Sequence, residues 1–150
     1  MSAIKVIAEN KKAFFDYELL EKFEAGIELT GPEVKSIRAG HVSIREAFAT
    51  VKDNQIWITN MNVSPYLPAG QMNVEQKRPR KLLLKRTEID FLIGKALASG
   101  LTLVPTKIYF SHGLVKIEIA VGKGKKLHDK RETIRRRELD IETQRELKDR

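Results

Sequence analysis

The chain has 150 residues, a length that favours one domain with room for a short appendage. Apolar residues make up 41%, too many for wholesale disorder, and the absence of cysteine excludes disulfide scaffolds, cysteine-based zinc sites, iron–sulfur clusters and thiol nucleophiles. Lys and Arg number 28 against 20 Asp and Glu, and the resulting charge of +8 points to a polyanionic partner, nucleic acid foremost.

Met1-Ser2-Ala3-Ile4-Lys5 lacks the charged start and apolar stretch of a secretory signal. No apolar run approaches the roughly 18–20 residues that span a bilayer, so the expectation is a cytoplasmic protein with no membrane partner. Lys11-Lys12 precedes Phe14, Phe15 and Tyr17, an interleaving of cations for phosphates with rings that either stack on unpaired bases or pack in the core. Phe23, Ala25, Ile27 and Leu29 alternate with Glu24, Gly26 and Glu28, which predicts a strand with one wet face. Gly31-Pro32 opens a short helix through Arg38, with Gly40 just past its end. Ala47, Ala49 and Val51 alternate, Asp53-Asn54 turns, and Gln55-Ile56-Trp57-Ile58 returns as a hairpin. The span 64–72 holds two prolines and a glycine and reads as a loop. Thr87 is placed to cap a helix with Asp90 three residues on, Ile89, Leu92, Ile93 and Leu97 follow at helical spacing, and Gly100 ends it. A last hairpin turns at Ser111-His112-Gly113 and returns with Val115, Ile117, Ile119 and Val121 on one face and Lys116 and Glu118 on the other.

The composition changes at 122–150, where eleven Lys and Arg meet seven Asp and Glu and apolar residues are sparse. Leu127, Ile134 and Ile141 recur every seven residues on one narrow helical stripe, so this tail reads as disordered alone and helix-competent when given a surface. The domain organisation expected is a body at 1–122 and a basic tail at 123–150. Short strands interrupted by helices, without βαβ regularity, predict a mainly β fold with inserted helices, a small closed or partly closed barrel of the oligonucleotide-binding type.

Nothing in the residues organises catalysis. His41, His112 and His128 stand in different elements, no histidine has a partner at helical spacing, no thiol exists, and 122–126 lacks the spacing of a phosphate-binding loop. The expectation is a non-enzyme with no catalytic residues, no metal and no cofactor. Three basic clusters remain: Lys11-Lys12, the run at 77–86 (Lys77, Arg78, Arg80, Lys81, Lys85 and Arg86 around Leu82-Leu83-Leu84), and 123–137. Leucines ahead of a helix are usually core, so within the second run one is expected buried and another presented.

The run IAENKKAFFDYELLEKFEAGIELTGPEVKSIRAG at 7–40 resembles the start of the bacterial tmRNA-binding protein family, SmpB or SsrA-binding. RKLLL at 80–84, LTLVPTKIYF at 101–110, GKKLHDKRETI at 124–134 and the Ser64-Pro65-Tyr66 loop resemble it equally. The resemblance implies an oligonucleotide-binding β-barrel with a tail unstructured in isolation. It implies a monomer whose partners are the tRNA-like domain of tmRNA and the decoding centre and mRNA channel of the ribosome. The activity implied is delivery of tmRNA to stalled ribosomes in trans-translation, where the nascent chain is tagged and the ribosome rescued. The alternative is a ribosome-associated RNA-binding protein without a tmRNA role. Carried over by position, the RNA-facing residues are Glu24, Leu83 and Lys116, with Asn10, Lys11, Arg38, Arg80 and Lys81 beside them. The ribosome-engaging tail residues are Gly124, His128, Asp129, Lys130 and Arg131. Phe14-Phe15 stands where many members have Arg-His.

Overall fold

In the computed structural model, residues 4–98, 100–125 and 134–139 are described. Among the described residues up to Lys125, nine strands and three α-helices follow one another: β1 (Lys5–Glu9), α1 (Lys11–Asp16), β2 (Tyr17–Ile27), α2 (Gly31–Arg38), β3 (Val42–Ser43), β4 (Phe48–Lys52), β5 (Gln55–Thr59), β6 (Asn62–Val63), β7 (Arg80–Leu83), α3 (Arg86–Leu97), β8 (Leu101–Ser111) and β9 (Leu114–Gly124). Seven strands form one sheet in the order β1-β8-β9-β2-β7-β5-β4, every pair antiparallel, and β3 pairs with β6 separately. The edge strands do not join by hydrogen bonds among the described residues, yet β4 packs against β8 and curls the sheet toward a barrel. This is the mainly β architecture with inserted helices that the alternating pattern predicts.

Both predicted hairpins form, for a local reason. Asp53 and Asn54 have φ of 53° and 58°, and His112 and Gly113 have 53° and 75°, so each two-residue turn has the left-handed pair that matches strand twist. Alternation then sorts the faces. Ala25 and Ile27 of β2, and Ile117, Ile119 and Val121 of β9, enter the core with Ile56, Ile58, Leu82 and Ile108. α2 and α3 close it with Ile37, Ile89 and Leu92.

Several boundaries depart from the sequence reading. β2 starts at Tyr17 and ends at Ile27, so Leu29 lies beyond it. α1 was not foreseen, because six residues of KKAFFD carry no usable periodicity. Its cap is Asn10, whose side chain accepts from the Ala13 backbone N–H at 3.2 Å and donates to the Pro105 carbonyl at 3.0 Å. α3 begins one residue before Thr87, and Glu88 rather than Asp90 reaches back, accepting from the Lys85 backbone N–H at 3.2 Å. Leu97, expected on the apolar face, is 81% exposed at the helix's last residue. The loop after β6 contains a 3-10 helix at Leu67–Met72, braced by Asn73, which accepts from the Tyr66 N–H at 2.9 Å and donates to its carbonyl at 2.8 Å. β9 runs past the expected body–tail boundary, with Lys123 and Gly124 paired to Glu18 and Tyr17, and the Lys125 N–H donates to the Asp16 carbonyl at 2.9 Å.

One buried ion cluster ties α2 to β7. Glu33, at the third helical position, completes a capping box with Thr30. Its carboxylate also accepts from Arg80 Nε at 2.6 Å and from Arg78 Nη2 at 2.5 Å. Arg80 is 0% exposed; its Nη2 also lies 2.5 Å from Glu33 Oε2, and further N–H groups go to the carbonyls of Met61 at 2.8 Å, Gln76 at 3.0 Å and Arg78 at 3.1 Å. Burial works against the Glu33 charge, but the hydrogen bonds from Arg78, Thr30 and Arg80 and the Arg80 charge outweigh it, so the carboxyl sits below the usual glutamate range. A carboxyl lowered in the folded state adds stability above its unfolded pKa of about 4.3, and that stability is lost as pH falls through the lower folded value. Glu33→Gln is therefore expected to reduce unfolding free energy by about 3 kcal/mol at neutral pH, because Arg80 is left charged and buried. The variant should also show a shallower loss of stability below pH of about 4, measured by urea unfolding across pH.

Candidate nucleic-acid interface

The outer face of β2 carries Glu24 and Gly26, since Ala25 and Ile27 point inward. The register places Gly26 opposite Lys116 of β9 on one side and Leu83 of β7 on the other. Lys116, Gly26 and Leu83 thus form one row across three strands. Gly26 leaves this row open at its centre: a Cβ there would lie 3.3 Å from the Leu83 Cβ. In β7 the alternation buries Arg80 and Leu82 and turns Lys81 and Leu83 outward, and Leu83 is 52% exposed.

The row lines an open groove of about 600 Å³, together with Glu24, Lys81, Lys85 and Arg86. A second hollow of about 230 Å³ shares Gly26, Leu83 and Lys116 and continues over Val34 and Leu114. Four cations face two carboxylates, Glu24 and Glu88, around the first groove. Arg86 is tethered at its edge, donating to the Asn54 carbonyl at 2.9 Å and pairing with Asp90 at 2.9 Å. The groove combines positive charge for phosphates with an apolar patch for a base or ribose face, the chemistry of single-stranded RNA recognition.

Glu24 accepts from the Tyr109 hydroxyl at 2.5 Å. Among the described residues no Lys or Arg forms an ion pair with it. Burial of Tyr109, then the hydrogen bond and charge of Glu24, then the charge of Glu118, raise the phenol well above its ordinary value, so it stays a donor.

The expected RNA-facing residues fall into two groups. Glu24, Lys81, Leu83 and Lys116 meet in the groove. Asn10, Lys11, Arg38 and Arg80 do not line it. Asn10 is buried as the α1 cap, with its side chain committed to Ala13 and Pro105. Lys11 is exposed at the start of α1, and Arg38 is exposed at the end of α2 with its guanidinium 5.6 Å from the Phe110 ring centre. Arg80 is a correction: its guanidinium lies inside the fold and presents nothing at the surface, because β7 alternation turns it toward Glu33. Of the two rings in question, Phe14 is exposed with Lys22 Nζ 5.7 Å from its centre, and Phe15 is half-buried. Gly124 closes β9, whereas His128, Asp129, Lys130 and Arg131 lie outside the described residues. Residues 134–139 are helical, with Ile134 and Leu139 exposed.

Sequence reasoning overlooked Gly26 and Tyr109. The alternation that turns the half-buried Lys107 away from the core also turns Tyr109 to the polar face, opposite Lys116, so a period-two reading of 101–111 contains that signal. Among the described residues there is no group of three or more His, Cys, Asp and Glu able to hold a metal, and no helix long and apolar enough to cross a membrane.

Comparison with known proteins identifies the family. The family model described as SmpB protein matches residues 7–149. The SsrA-binding protein of Trichormus variabilis is 55% identical over 145 residues, covering 96% of this chain and 94% of that one. That of Carboxydothermus hydrogenoformans is 50% identical over 144 residues, covering 96% and 97%. A solved structure described as "tmRNA-SmpB: a journey to the center of the bacterial ribosome" superposes with a TM-score of 0.68 at 44% identity, covering 86% of this chain and 94% of that one. The chain belongs to the SmpB, or SsrA-binding, protein family.

The Tyr109 environment is testable by titration. Followed at the phenolate absorbance band, the Tyr109 component, isolated as wild type minus Tyr109→Phe, should ionise well above the ordinary tyrosine value of about 10. Glu24→Ala should bring that ionisation down by removing both the acceptor and its charge.

Proposed function

We propose that this member of the SmpB family binds the tRNA-like domain of tmRNA through the Glu24–Leu83–Lys116 groove and delivers that RNA to stalled ribosomes in trans-translation. One observation carries the assignment to this groove: the antiparallel register aligns Lys116, Gly26 and Leu83 in a row beside Glu24. Its support from relatives is that they are named for binding SsrA and that the superposed structure is described as a tmRNA complex within the bacterial ribosome.

Each side chain has a distinct task. Lys116, Lys81 and Lys85 hold phosphates, fixing where the RNA lies without reading its sequence. Leu83 offers an apolar contact to a base or ribose face, and Gly26 leaves the space for close approach. Glu24 is unfavourable beside phosphates, so its place in the groove requires a hydrogen-bond donor on the RNA. On this reading the protein acts by binding and works in the cytoplasm, alongside its RNA and ribosomal partners. The body extends through residue 125, and the remaining basic chain, with His128, Asp129, Lys130 and Arg131 after Gly124, engages the decoding centre and mRNA channel.

Lys116→Ala should weaken binding to the tRNA-like domain about tenfold and reduce the dependence of log affinity on log salt by about one unit. Glu24→Ala should weaken binding too, although it removes a negative charge. Tighter binding of Glu24→Ala at two salt concentrations would mean that the surface acts as a nonspecific basic film.

The tail is tested separately. Replacing Asp129, Lys130 and Arg131 together by Ala should leave affinity for the tRNA-like domain within about threefold, less than 1 kcal/mol. Peptide tagging on ribosomes stalled in vitro should collapse in the same variant. Normal tagging, or loss of RNA binding in parallel with tagging, would overturn the division of labour.

A further inference from the structure

We propose that Tyr109 is a positioning residue that makes Glu24 a reader of nucleobase N–H donors: its hydroxyl holds one carboxylate oxygen, leaving the carboxylate's remaining acceptor sites toward the groove. The inference rests on the reading of that groove as the RNA site.

The strand register makes the arrangement specific. Tyr109 stands on β8 opposite Lys116 of β9, and reaches across β9 to Glu24 on β2. It is only 4% exposed, and Lys107 Nζ lies 5.5 Å from its ring centre on the same face. Glu24 is itself directly opposite Glu118 of β9, and like charges facing each other across a ladder destabilise a sheet. The buried Thr106 hydroxyl donates to Glu118 as Tyr109 does to Glu24. Two hydroxyls of β8 therefore hold two facing carboxylates, and of the two only Glu24 lines the groove.

An ionised carboxylate only accepts hydrogen bonds, and phosphate oxygens at neutral pH also only accept. A fixed Glu24 thus rejects a phosphate and rewards an exocyclic amino or imino group on an unpaired base, whose Watson–Crick edge is occupied by its partner in a paired helix. With no Tyr109 hydroxyl the carboxylate turns freely and loses that alignment. Tyr109 touches no RNA in this account and acts through Glu24.

The test compares binding of the full chain to two RNAs, the transcribed tRNA-like domain of tmRNA and a fully paired RNA duplex of equal length. Tyr109→Phe should reduce discrimination between them about tenfold, and Glu24→Gln, which keeps the shape but turns an amide toward the base, should do the same. Tyr109→Phe combined with Glu24→Ala should discriminate no worse than Glu24→Ala alone. Additive losses in the double variant, unchanged discrimination in Tyr109→Phe, or wild-type behaviour of Glu24→Gln would overturn the proposal. Lys116→Ala is the separate control. If it weakens binding to the tRNA-like domain while Tyr109→Phe leaves discrimination intact, the groove reading stands and the role of Tyr109 fails. If Lys116→Ala has no effect either, the groove reading itself fails.

Discussion

The carboxylate of Glu33 lies between the guanidinium groups of Arg78 and Arg80, 2.5 Å from the nearest nitrogen of each, where little water reaches. Breaking such a cluster leaves a charge stranded in a poor solvent, so the cluster dictates how the elements around it meet. Through it the first turn of α2 is bound to β7, and through Arg80 the carbonyls of Met61 and Gln76 are bound as well. With Arg80 committed inward, alternation leaves Leu82 in the core and turns Lys81 and Leu83 to solvent. The exposed chemistry of the groove therefore follows from a charge that is hidden.

The same economy runs through β2 and β9. Their inner faces form the core while their outer faces present Glu24, Gly26 and Lys116. A one-residue slip between these strands would exchange the two sets, exposing isoleucines and burying Lys116 and Glu24 without partners. Core formation and the chemistry of the groove are thus held by one register. The hydroxyls of β8 add the third layer by holding carboxylates that would otherwise repel each other across the ladder.

Much of this was legible from the chain. The strand faces, both tight hairpins and the helix opening at Gly31-Pro32 follow from alternation, left-handed turn residues and capping, all local effects. The leucine run sorted as its position suggests, Leu82 in and Leu83 out. Glu24, Leu83 and Lys116 rest on the resemblance, and of the three only Lys116 and Glu24 also stand on a strand face that the alternation predicts to be wet.

By itself the sequence determined the charge, the alternation and the turns, because those depend on neighbours one to four residues apart. Only the tertiary structure decided which cations face the groove and which are interior. Lys81 and Arg80 are adjacent in the same basic run, yet Arg80 finds Glu33 47 residues away and leaves the surface. Tyr109 and Glu24, 85 residues apart, meet because β9 lies between their strands at one register. Partners this distant are chosen when the strands pair in register around the core, and no local pattern of residues encodes that choice.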